Sequence, residues 1–219
     1  MLSIVTAKTY DQYCAVAKAL DLVGERWTLL VVRELLSGPK RYTDLMDGIP
    51  GIATDMLAAR LKTLEEAELV EKRTLPPPAA STIYELTSAG RRLEPVVREL
   101  AKFGYRFLGE PEGEAFRVQW LVLPLRMMFR PQEATGPPLV VQFETDHGAM
   151  HVRIENGTME TTVGPAGAPD VVIHADKQTL AAIVGKREAE KEAMASGRLR
   201  TTGKKDNIKR ALKALGLRE

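Results

Sequence analysis

The feature that most constrains the fold is a series of turn signals in the first half of the 219-residue chain. A Gly-Pro pair at positions 38–39 ends an almost wholly apolar helix, because glycine is a common helix C-cap and proline cannot continue a helix. A second turn, residues 48–51, contains two glycines and a proline and separates two further helices. The later of these helices carries a spacing that predicts a single buried stripe: Leu57, Leu61 and Leu64.

Two strand-like runs follow, residues 69–74 and 82–86, with a proline-rich loop between them. Prolines cannot donate to a strand ladder, so we expect residues 76–78 at the tip of a hairpin. Helix, turn, helix and two-stranded ribbon in this order predict a winged helix-turn-helix, which places one helix in the major groove of DNA. Taken alone, the leucine-striped helix is better explained as a solvated amphipathic helix. The turn before it and the hairpin after it favour the DNA-reading interpretation.

The candidate DNA-contacting residues follow from the geometry of that helix. A helix turns by about 100° per residue, so a mixed set of small, polar and charged side chains falls opposite the leucine stripe. Thr54 lies near the helix N-terminus, where base contacts usually begin. Basic residues before the helix pair and at the base of the hairpin complete the set. The predicted DNA-contacting residues are Arg41, Thr54, Asp55, Met56, Ala59, Arg60, Lys62, Thr63, Lys72 and Arg73.

Net charge neither supports nor excludes a nucleic-acid partner. Residues 1–110 carry 15 Lys and Arg against 15 Asp and Glu, and residues 111–219 carry 16 against 14. Any affinity for DNA must therefore come from a local cluster of basic residues.

A long apolar stripe marks the helix after the hairpin, which we expect Thr87 to cap. Its members are Leu93, Val96, Val97, Leu100, Phe103 and Phe107. In a small domain such a stripe is more often a dimer or interdomain seam than a solvent-facing surface.

Together these residues resemble the HxlR-type winged-helix transcription regulators, relatives of the MarR group. The resemblance rests on Cys14, Leu20, Gly24, Trp27, residues 38–42, residues 49–52, Leu57, Leu61, Leu64, Glu65, Leu69, Val70 and residues 84–90. It covers about the first half of the chain, which we assign as a DNA-binding domain, residues 1–110. The resemblance implies a homodimer, joined through the first helix and the helix after the wing, that reads a pseudo-palindromic operator on double-stranded DNA.

The chain departs from the family pattern in two places. Asp55 occupies a position that is often basic in such proteins, and the wing tip, residues 75–81, carries no Lys or Arg. Contact with DNA from the wing must then come from Lys72 or Arg73 at its base.

Cys14 has two interpretations. As the only cysteine it excludes a disulfide framework within the chain and fits the reducing cytoplasm. A free cysteine is most often a small buried hydrophobe. The family resemblance implies the alternative, a thiol sensor that bonds between protomers.

The second half, residues 111–219, follows a polar linker at 109–114 and predicts a different layer. An apolar helix at 116–129 precedes strand-like runs at 139–145, 149–155 and 158–163, which two hairpin turns separate. A fourth strand, a helix, a short strand and a terminal helix follow at 170–175, around 180–184, at 199–202 and around 208–215. The fold class is therefore α+β, with an N-terminal winged helix followed by an antiparallel sheet covered by helices.

This order resembles the sterol carrier protein 2-like fold, on residues 170–176, Leu180, Gly185 and residues 197–203. The resemblance implies an apolar tunnel between sheet and helices that holds a lipid or another apolar small molecule. Ordinary core packing is the better explanation for most of the apolar residues. The predicted ligand-binding residues are Trp120, Leu123, Met127, Met128 and Phe143.

No catalytic constellation, phosphate loop or metal-ligand spacing is evident in the sequence, so we expect a protein without enzymatic activity, cofactor or metal. No segment predicts a signal peptide or a membrane span, so we expect a cytoplasmic protein. Two functions remain. One is a DNA-binding transcription regulator whose C-terminal domain senses an apolar ligand. The other is a lipid-binding carrier or interaction module whose winged helix serves dimerisation only.

Overall fold

A computed structural model describes residues 9–78, 80–109, 113–184 and 190–217. The chain divides into two compact units, Met1–Leu100 and Ala101–Glu219, and the division falls within a single helix. The domain boundary predicted at residue 110, and half of the predicted linker at 109–114, lie outside the described residues. That boundary stays a prediction.

The described part of the first unit alternates short helices and short strands. In chain order these elements are α1 (Ala15–Val23), α2 (Thr28–Leu36), β1 (Lys40–Arg41), α3 (Tyr42–Gly48), α4 (Thr54–Glu66), β2 (Val70–Thr74), β3 (Thr82–Leu86), α5 (Ser88–Arg91) and α6 (Glu94–Tyr105). The core lies between α2, α3 and α4, where Val31, Leu35, Leu45, Leu57 and Leu64 are almost completely buried. The predicted order of helix, turn, helix and hairpin is confirmed.

A short strand that the sequence did not predict completes the wing. β1 pairs antiparallel with β3, and β3 pairs with β2, so the sheet has the order β1-β3-β2. Because β1 leads directly into α3, it ties the entrance of the helix-turn-helix to the wing.

The predicted single helix from Thr87 to Phe107 is wrong, because the structure has two helices there, α5 and α6. Thr87 does act as an N-cap, and its hydroxyl accepts a hydrogen bond from the Gly90 backbone N–H at 3.0 Å. A Cβ at Gly90 would collide with the carbonyl oxygen of Leu69, so α5 lies directly against the start of the wing. This close approach turns the chain before α6 begins.

The second unit is a five-stranded sheet with helices. Its described elements are a 3-10 turn (Val118–Leu121), α7 (Val122–Met128), β4 (Leu139–Thr145), β5 (Gly148–Glu155), β6 (Thr158–Val163), β7 (Val171–His174), α8 (Lys177–Val184), α9 (Glu190–Ala195), β8 (Arg200–Gly203) and α10 (Lys205–Ala214). The helix predicted at 116–129 is thus a 3-10 turn that continues into a shorter α-helix.

The sheet is mixed, so the predicted purely antiparallel sheet is wrong. The strand order is β6-β5-β4-β7-β8, and β4 and β7 run parallel. The connection between β6 and β7, residues 164–170, passes from one edge of the sheet to the far side of β4. The Ala166 N–H donates to the side chain of Gln142 at 2.7 Å, so this connection covers the β4 face that points away from the core.

The core of the second unit lies on the other face of the sheet. Alternate residues of β4 and β5, such as Val141, Phe143, Met150 and Val152, are buried there together with residues of α7, α8 and α10. None of the described helices is long and apolar enough to cross a membrane.

Candidate nucleic-acid interface

The predicted recognition helix is α4, and its two faces differ as the sequence indicated. Leu57, Leu61 and Leu64 are buried on one face. The residues that are exposed on the opposite side are Thr54, Asp55, Ala58, Ala59, Lys62 and Glu66. Alanines in the middle of this face leave the helix backbone open to close approach by another surface.

Two predicted side chains of α4 are less exposed than the helical geometry implied, whereas Lys62 remains exposed. Met56 and Thr63 are half-buried. The Thr63 hydroxyl donates to the Ala59 carbonyl oxygen at 3.0 Å, so its only O–H is used within the helix. Lys62 keeps 78% of its side chain exposed, and its ammonium lies 3.8 Å from the Glu66 carboxylate. Exposed pairs at this spacing stabilise a helix by roughly 0.2–0.5 kcal/mol, which leaves Lys62 available to an external anion.

Arg60 is the predicted site residue whose environment differs most from expectation. Only 15% of its side chain is exposed, and its guanidinium lies 3.5 Å from the carboxylate of Glu25 in the loop before α2. In this position Arg60 joins α4 to that loop and does not project toward a groove.

The loop that holds Arg60 is itself strained. Trp27 has a φ of 80°, a conformation that bulky residues rarely adopt. Its ring lies 3.8 Å from where a Cβ on Gly51 would be, and the Arg26 guanidinium stacks 4.8 Å from the ring centroid. The same loop therefore reaches both α4 and the turn that precedes it.

The N-terminus of α4 is fixed by a side chain of α3. The Tyr42 hydroxyl donates to the Thr54 carbonyl oxygen at 2.6 Å, across the turn between the two helices. Gly51, with a φ of 86°, supplies the left-handed conformation that this turn requires. These contacts set the angle at which α4 leaves α3.

A buried ion pair, which the sequence analysis did not single out, supports the end of α3. The Arg33 guanidinium donates to the Glu34 carboxylate at 2.8 Å and to the Gly48 carbonyl oxygen at 3.2 Å. Burial lowers the pKa of Arg33, while the charge of Glu34 opposes that shift. A Cβ on Gly48 would lie 2.5 Å from the Glu34 carboxylate, so the packing requires glycine there.

The basic residues of the wing lie in the middle of β2 and toward the tip, and not at the predicted base, since Lys72 is opposite Tyr84 and Arg73 is opposite Ile83. The Arg73 guanidinium is paired with the Glu85 carboxylate at 2.6 Å, and the Lys72 ammonium lies 5.8 Å from the centroid of the Tyr84 ring. Arg41 in β1 is exposed and forms no ion pair with a described residue. Of the predicted basic residues outside α4, Lys72 and Arg41 thus form no ion pair with a described residue and remain available to bind an anion.

Cys14 is exposed at the N-cap of α1, which contradicts its interpretation as a buried hydrophobe. The nearby backbone N–H groups of Ala17 and Val16, at the start of α1, lower the pKa of the Cys14 thiol. Both properties favour the reactive thiolate form.

Exposed apolar side chains follow one side of α6. Val97 is buried, whereas Val96, Leu100, Phe103 and Phe107 are exposed at the spacing of one helical stripe. Part of α1 is similar, since Tyr13, Val16 and Leu20 are also exposed. The predicted stripe thus includes an inward residue, Val97, and an outward surface that no described residue covers.

A small apolar cavity lies between the sheet and the helices of the second unit. Its volume is about 20 Å³. Apolar side chains line it: Leu121, Leu125, Met128, Phe143, Ile173, Leu180, Ile183, Leu199 and Leu217. Of the predicted ligand-binding residues, Met128 and Phe143 line the cavity, whereas Trp120, Leu123 and Met127 do not.

Polar chemistry in the second unit is found on the sheet face away from this cavity. His174 lies 2.9 Å from Glu144, and Glu144 accepts from Gln142 at 2.6 Å. Among the described residues no group of three His, Cys, Asp or Glu side chains could hold a metal ion.

Comparisons with known proteins agree with this division. The model of the family described as HxlR-like helix-turn-helix matches residues 22–112. A model described as alkyl sulfatase C-terminal matches residues 127–218. The second match does not confirm the sterol carrier protein 2-like resemblance.

The relatives with the clearest similarity are regulators. The HTH-type transcriptional regulator YodB of Bacillus subtilis is 40% identical over 89 residues, which are 41% of this chain and 80% of that protein. An uncharacterized HTH-type transcriptional regulator of Synechocystis is 33% identical over 46% of this chain and 75% of its own length. The reduced form of YodB is a solved structure with 38% identity and a TM-score of 0.39, covering 44% of this chain and 95% of that chain.

The first unit therefore has the fold of a helix-turn-helix regulator, and the family assignment rests on sequence similarity across most of the relatives' length. The chain belongs to the HxlR-like helix-turn-helix family.

Proposed function

We propose that the protein is a dimeric, DNA-binding transcription regulator that works in the cytoplasm and reads a pseudo-palindromic operator with α4. The observation that carries this proposal is the exposed face of α4. Small residues, Ala58 and Ala59, lie between Thr54 at one end and Lys62 at the other, and the leucines of the opposite face anchor the helix. A helix in the major groove needs this combination of close backbone approach and few, well-placed polar groups.

The test compares Lys62→Ala with a control variant, Lys18→Ala. Lys18 is an exposed lysine of α1 that, like Lys62, forms one long ion pair. Fluorescence anisotropy with duplex DNA from upstream of the coding region gives the affinity at several salt concentrations. If Lys62 contacts phosphate, its loss makes the slope of log K against log salt shallower by roughly 0.9. An unchanged affinity and slope for Lys62→Ala would contradict the proposed position of α4 in the major groove.

Dimerisation is proposed through the outward residues of α6 together with α1. Four large apolar side chains of this region, Val96, Leu100, Phe103 and Phe107, are each at least 49% exposed. Contiguous apolar surfaces of this kind are typical of protein–protein interfaces. A homodimer would contain two copies of α4, one for each half of a pseudo-palindromic site.

For the second unit we propose a sterol carrier protein 2-like ligand sensor. The support is the apolar cavity, which Met128 and Phe143 line between α7 and the sheet. A volume of about 20 Å³ holds about one water-sized sphere. A lipid-sized ligand must therefore separate α7 or α8 from the sheet, and this movement is the event that would alter DNA affinity.

The sensor proposal predicts reciprocity between ligand and DNA. If a ligand lowers DNA affinity, DNA must lower ligand affinity by the same factor, typically about 5- to 150-fold. Decanoate, palmitate and cholesterol can be titrated with and without the upstream duplex, using tryptophan fluorescence in a Trp27→Phe variant. Binding that is equal in both conditions, with no DNA recognition, would favour the alternative, a lipid carrier whose winged helix only dimerises.

A second candidate function, thiol sensing, is favoured by the exposure of Cys14. A sensor thiol must be accessible and is favoured by a lowered pKa; Cys14 is exposed, and its pKa is shifted in that direction. A second cysteine for resolution does not exist in the sequence, so an oxidised Cys14 would have to bond to another molecule, such as the second protomer. Non-reducing electrophoresis after treatment with diamide, with Cys14→Ser as control, tests this candidate.

A further inference from the structure

The positive charge of the second half of the chain is concentrated at its end. Residues 196–217 carry seven Lys and Arg against one Asp, whereas residues 111–195 carry eight against twelve Asp and Glu. The positive segment begins directly after α9 and comprises the edge strand β8 and α10. Its surplus is therefore local, and the rest of this half is acidic.

Three of these cations have structural partners. The Arg198 guanidinium donates to the Ser196 hydroxyl at 3.0 Å. The Arg210 guanidinium donates to the carbonyl oxygens of Thr135 at 2.8 Å and Pro137 at 2.6 Å. Lys213 pairs with Glu133 at 2.6 Å. The contacts of Arg210 and Lys213 fix α10 to the segment before β4, so these two cations are less available to bind another molecule.

Four other cations are exposed and form no ion pair with any described residue. They are Arg200, Lys204, Lys205 and Lys209, and we call them the basic edge. Holding four like charges without partners costs stability, because they repel one another.

The fold places the basic edge along one border of the second unit. Ala211, Leu212 and Ala214 are buried in the core, so Lys205 and Lys209 lie one helical turn apart on the solvent side of α10. Arg200 pairs across strands with His174 at the border of the sheet, and Lys204 lies between β8 and α10.

We propose that the basic edge binds the phosphate backbone of duplex DNA. This inference rests on the proposed function. The first half of the chain has no net charge, Arg60 and Arg73 are paired with glutamates, and the wing tip carries no cation. Duplex DNA carries about one negative charge per 1.7 Å, and flexible ammonium groups suit contacts that are independent of sequence. The basic edge adds to the electrostatic attraction that the first half, with no net charge, provides only through local cations such as Lys62.

The experiment uses the full chain and a 40-base-pair duplex of mixed sequence. Anisotropy titrations from low to high salt compare the wild type with the double variant Lys205→Ala, Lys209→Ala. The control double variant, Arg153→Ala with Lys191→Ala, removes the same charge from outside the basic edge. We expect the slope of log K against log salt to become shallower by about 1.8 for the first variant and to stay unchanged for the control.

A conservative variant guards against an effect of misfolding. Lys205→Arg with Lys209→Arg keeps both charges, so it should retain the wild-type slope. Equal slopes for the wild type and the double alanine variant would overturn the proposal. A loss of slope that the double arginine variant also shows would overturn it as well.

Vesicles of phosphatidylcholine and phosphatidylglycerol in a 7:3 ratio test the competing partner. If the double alanine variant loses vesicle binding but keeps its DNA slope, the partner is an anionic membrane and the proposal is wrong. Titration with the upstream duplex distinguishes a failure of the proposed function from a failure of the basic edge to bind DNA. Absence of binding to any duplex defeats the proposed function, whereas binding with an unaltered slope defeats only the role of the basic edge.

Discussion

Arg60 of α4 lies 3.5 Å from Glu25, a residue of the loop between α1 and α2. The contact withdraws one of the two cations of the predicted recognition helix from solvent. DNA would compete with Glu25 for this guanidinium, so the loop and the reading face of α4 are linked through a single ion pair.

We expect Glu25→Gln to strengthen DNA binding, because it removes the anion that holds Arg60. If Arg60 then reaches a phosphate, the slope of log K against log salt steepens by roughly 0.9. The free energy of unfolding should fall by less than about 1 kcal/mol, since Glu25 is more than half exposed. Anisotropy titrations and urea unfolding measure the two effects.

Glu192→Gln, an exposed carboxylate of α9, is the matched control for the change in net charge. If both variants bind DNA equally well, the gain comes from overall charge, and the ion pair of Arg60 has no role in binding.

Gly48→Ala should destabilise the first unit. The new methyl group would meet the buried Glu34 carboxylate at 2.5 Å and displace it from Arg33. Disturbing a buried ion pair costs up to about 3–5 kcal/mol. Gly104→Ala is the contrasting change, because a Cβ at this position in α6 meets nothing within 4 Å. It should raise the free energy of unfolding by about 0.4–1 kcal/mol. Equal effects of the two substitutions in urea unfolding would refute this account of the α2–α3 contact.

Leu100→Glu should abolish self-association without loss of fold, because Leu100 is 50% exposed on the outward side of α6. Val97→Ala should do the opposite. Val97 is only 6% exposed, so its truncation should lower the free energy of unfolding by roughly 1.5–3 kcal/mol and leave association intact. Sedimentation velocity at micromolar concentration, together with thermal unfolding, distinguishes the two. A wild-type protein that sediments as a monomer would contradict the proposed interface.

Cys14 should react faster with iodoacetamide in the folded protein than in urea at the same pH. The backbone N–H groups at the start of α1 lower the pKa of the thiol, so a larger thiolate fraction is expected at neutral pH. The difference should vanish at high pH, where the thiol is ionised in both states. A folded protein that reacts more slowly at pH 7 would show that the N-cap does not stabilise the thiolate.

Local patterns predicted much of the fold. The strands β3, β4 and β6 begin and end where the sequence indicated. Before β6, Asn156 and Gly157 both adopt the positive φ values of a tight hairpin turn. The leucine stripe of α4 was equally clear. Each of these features depends on residues close together in sequence.

Features that depend on distant contacts were missed. Nothing near Thr87 indicates that Gly90 will pack on the Leu69 carbonyl and divide the following helix. The pairing of Arg60 with Glu25 joins residues far apart in sequence, so helical geometry alone placed Arg60 beside the groove-facing side. The parallel pairing of β4 with β7 likewise has no signal in either strand, because their alternation would suit either direction.

That parallel pair has a consequence for how the chain is made. Strands β4, β5 and β6 are joined by tight turns and can zip together within microseconds of meeting, roughly 1–10 μs for a hairpin. β7 must instead find β4 across thirty positions, Val141 against Val171, and β8 joins only after Gly203 has been synthesised. On the ribosome the winged helix can thus be complete while the segment from β8 to α10, with its four exposed cations, is still being translated. The two halves would then fold in that order.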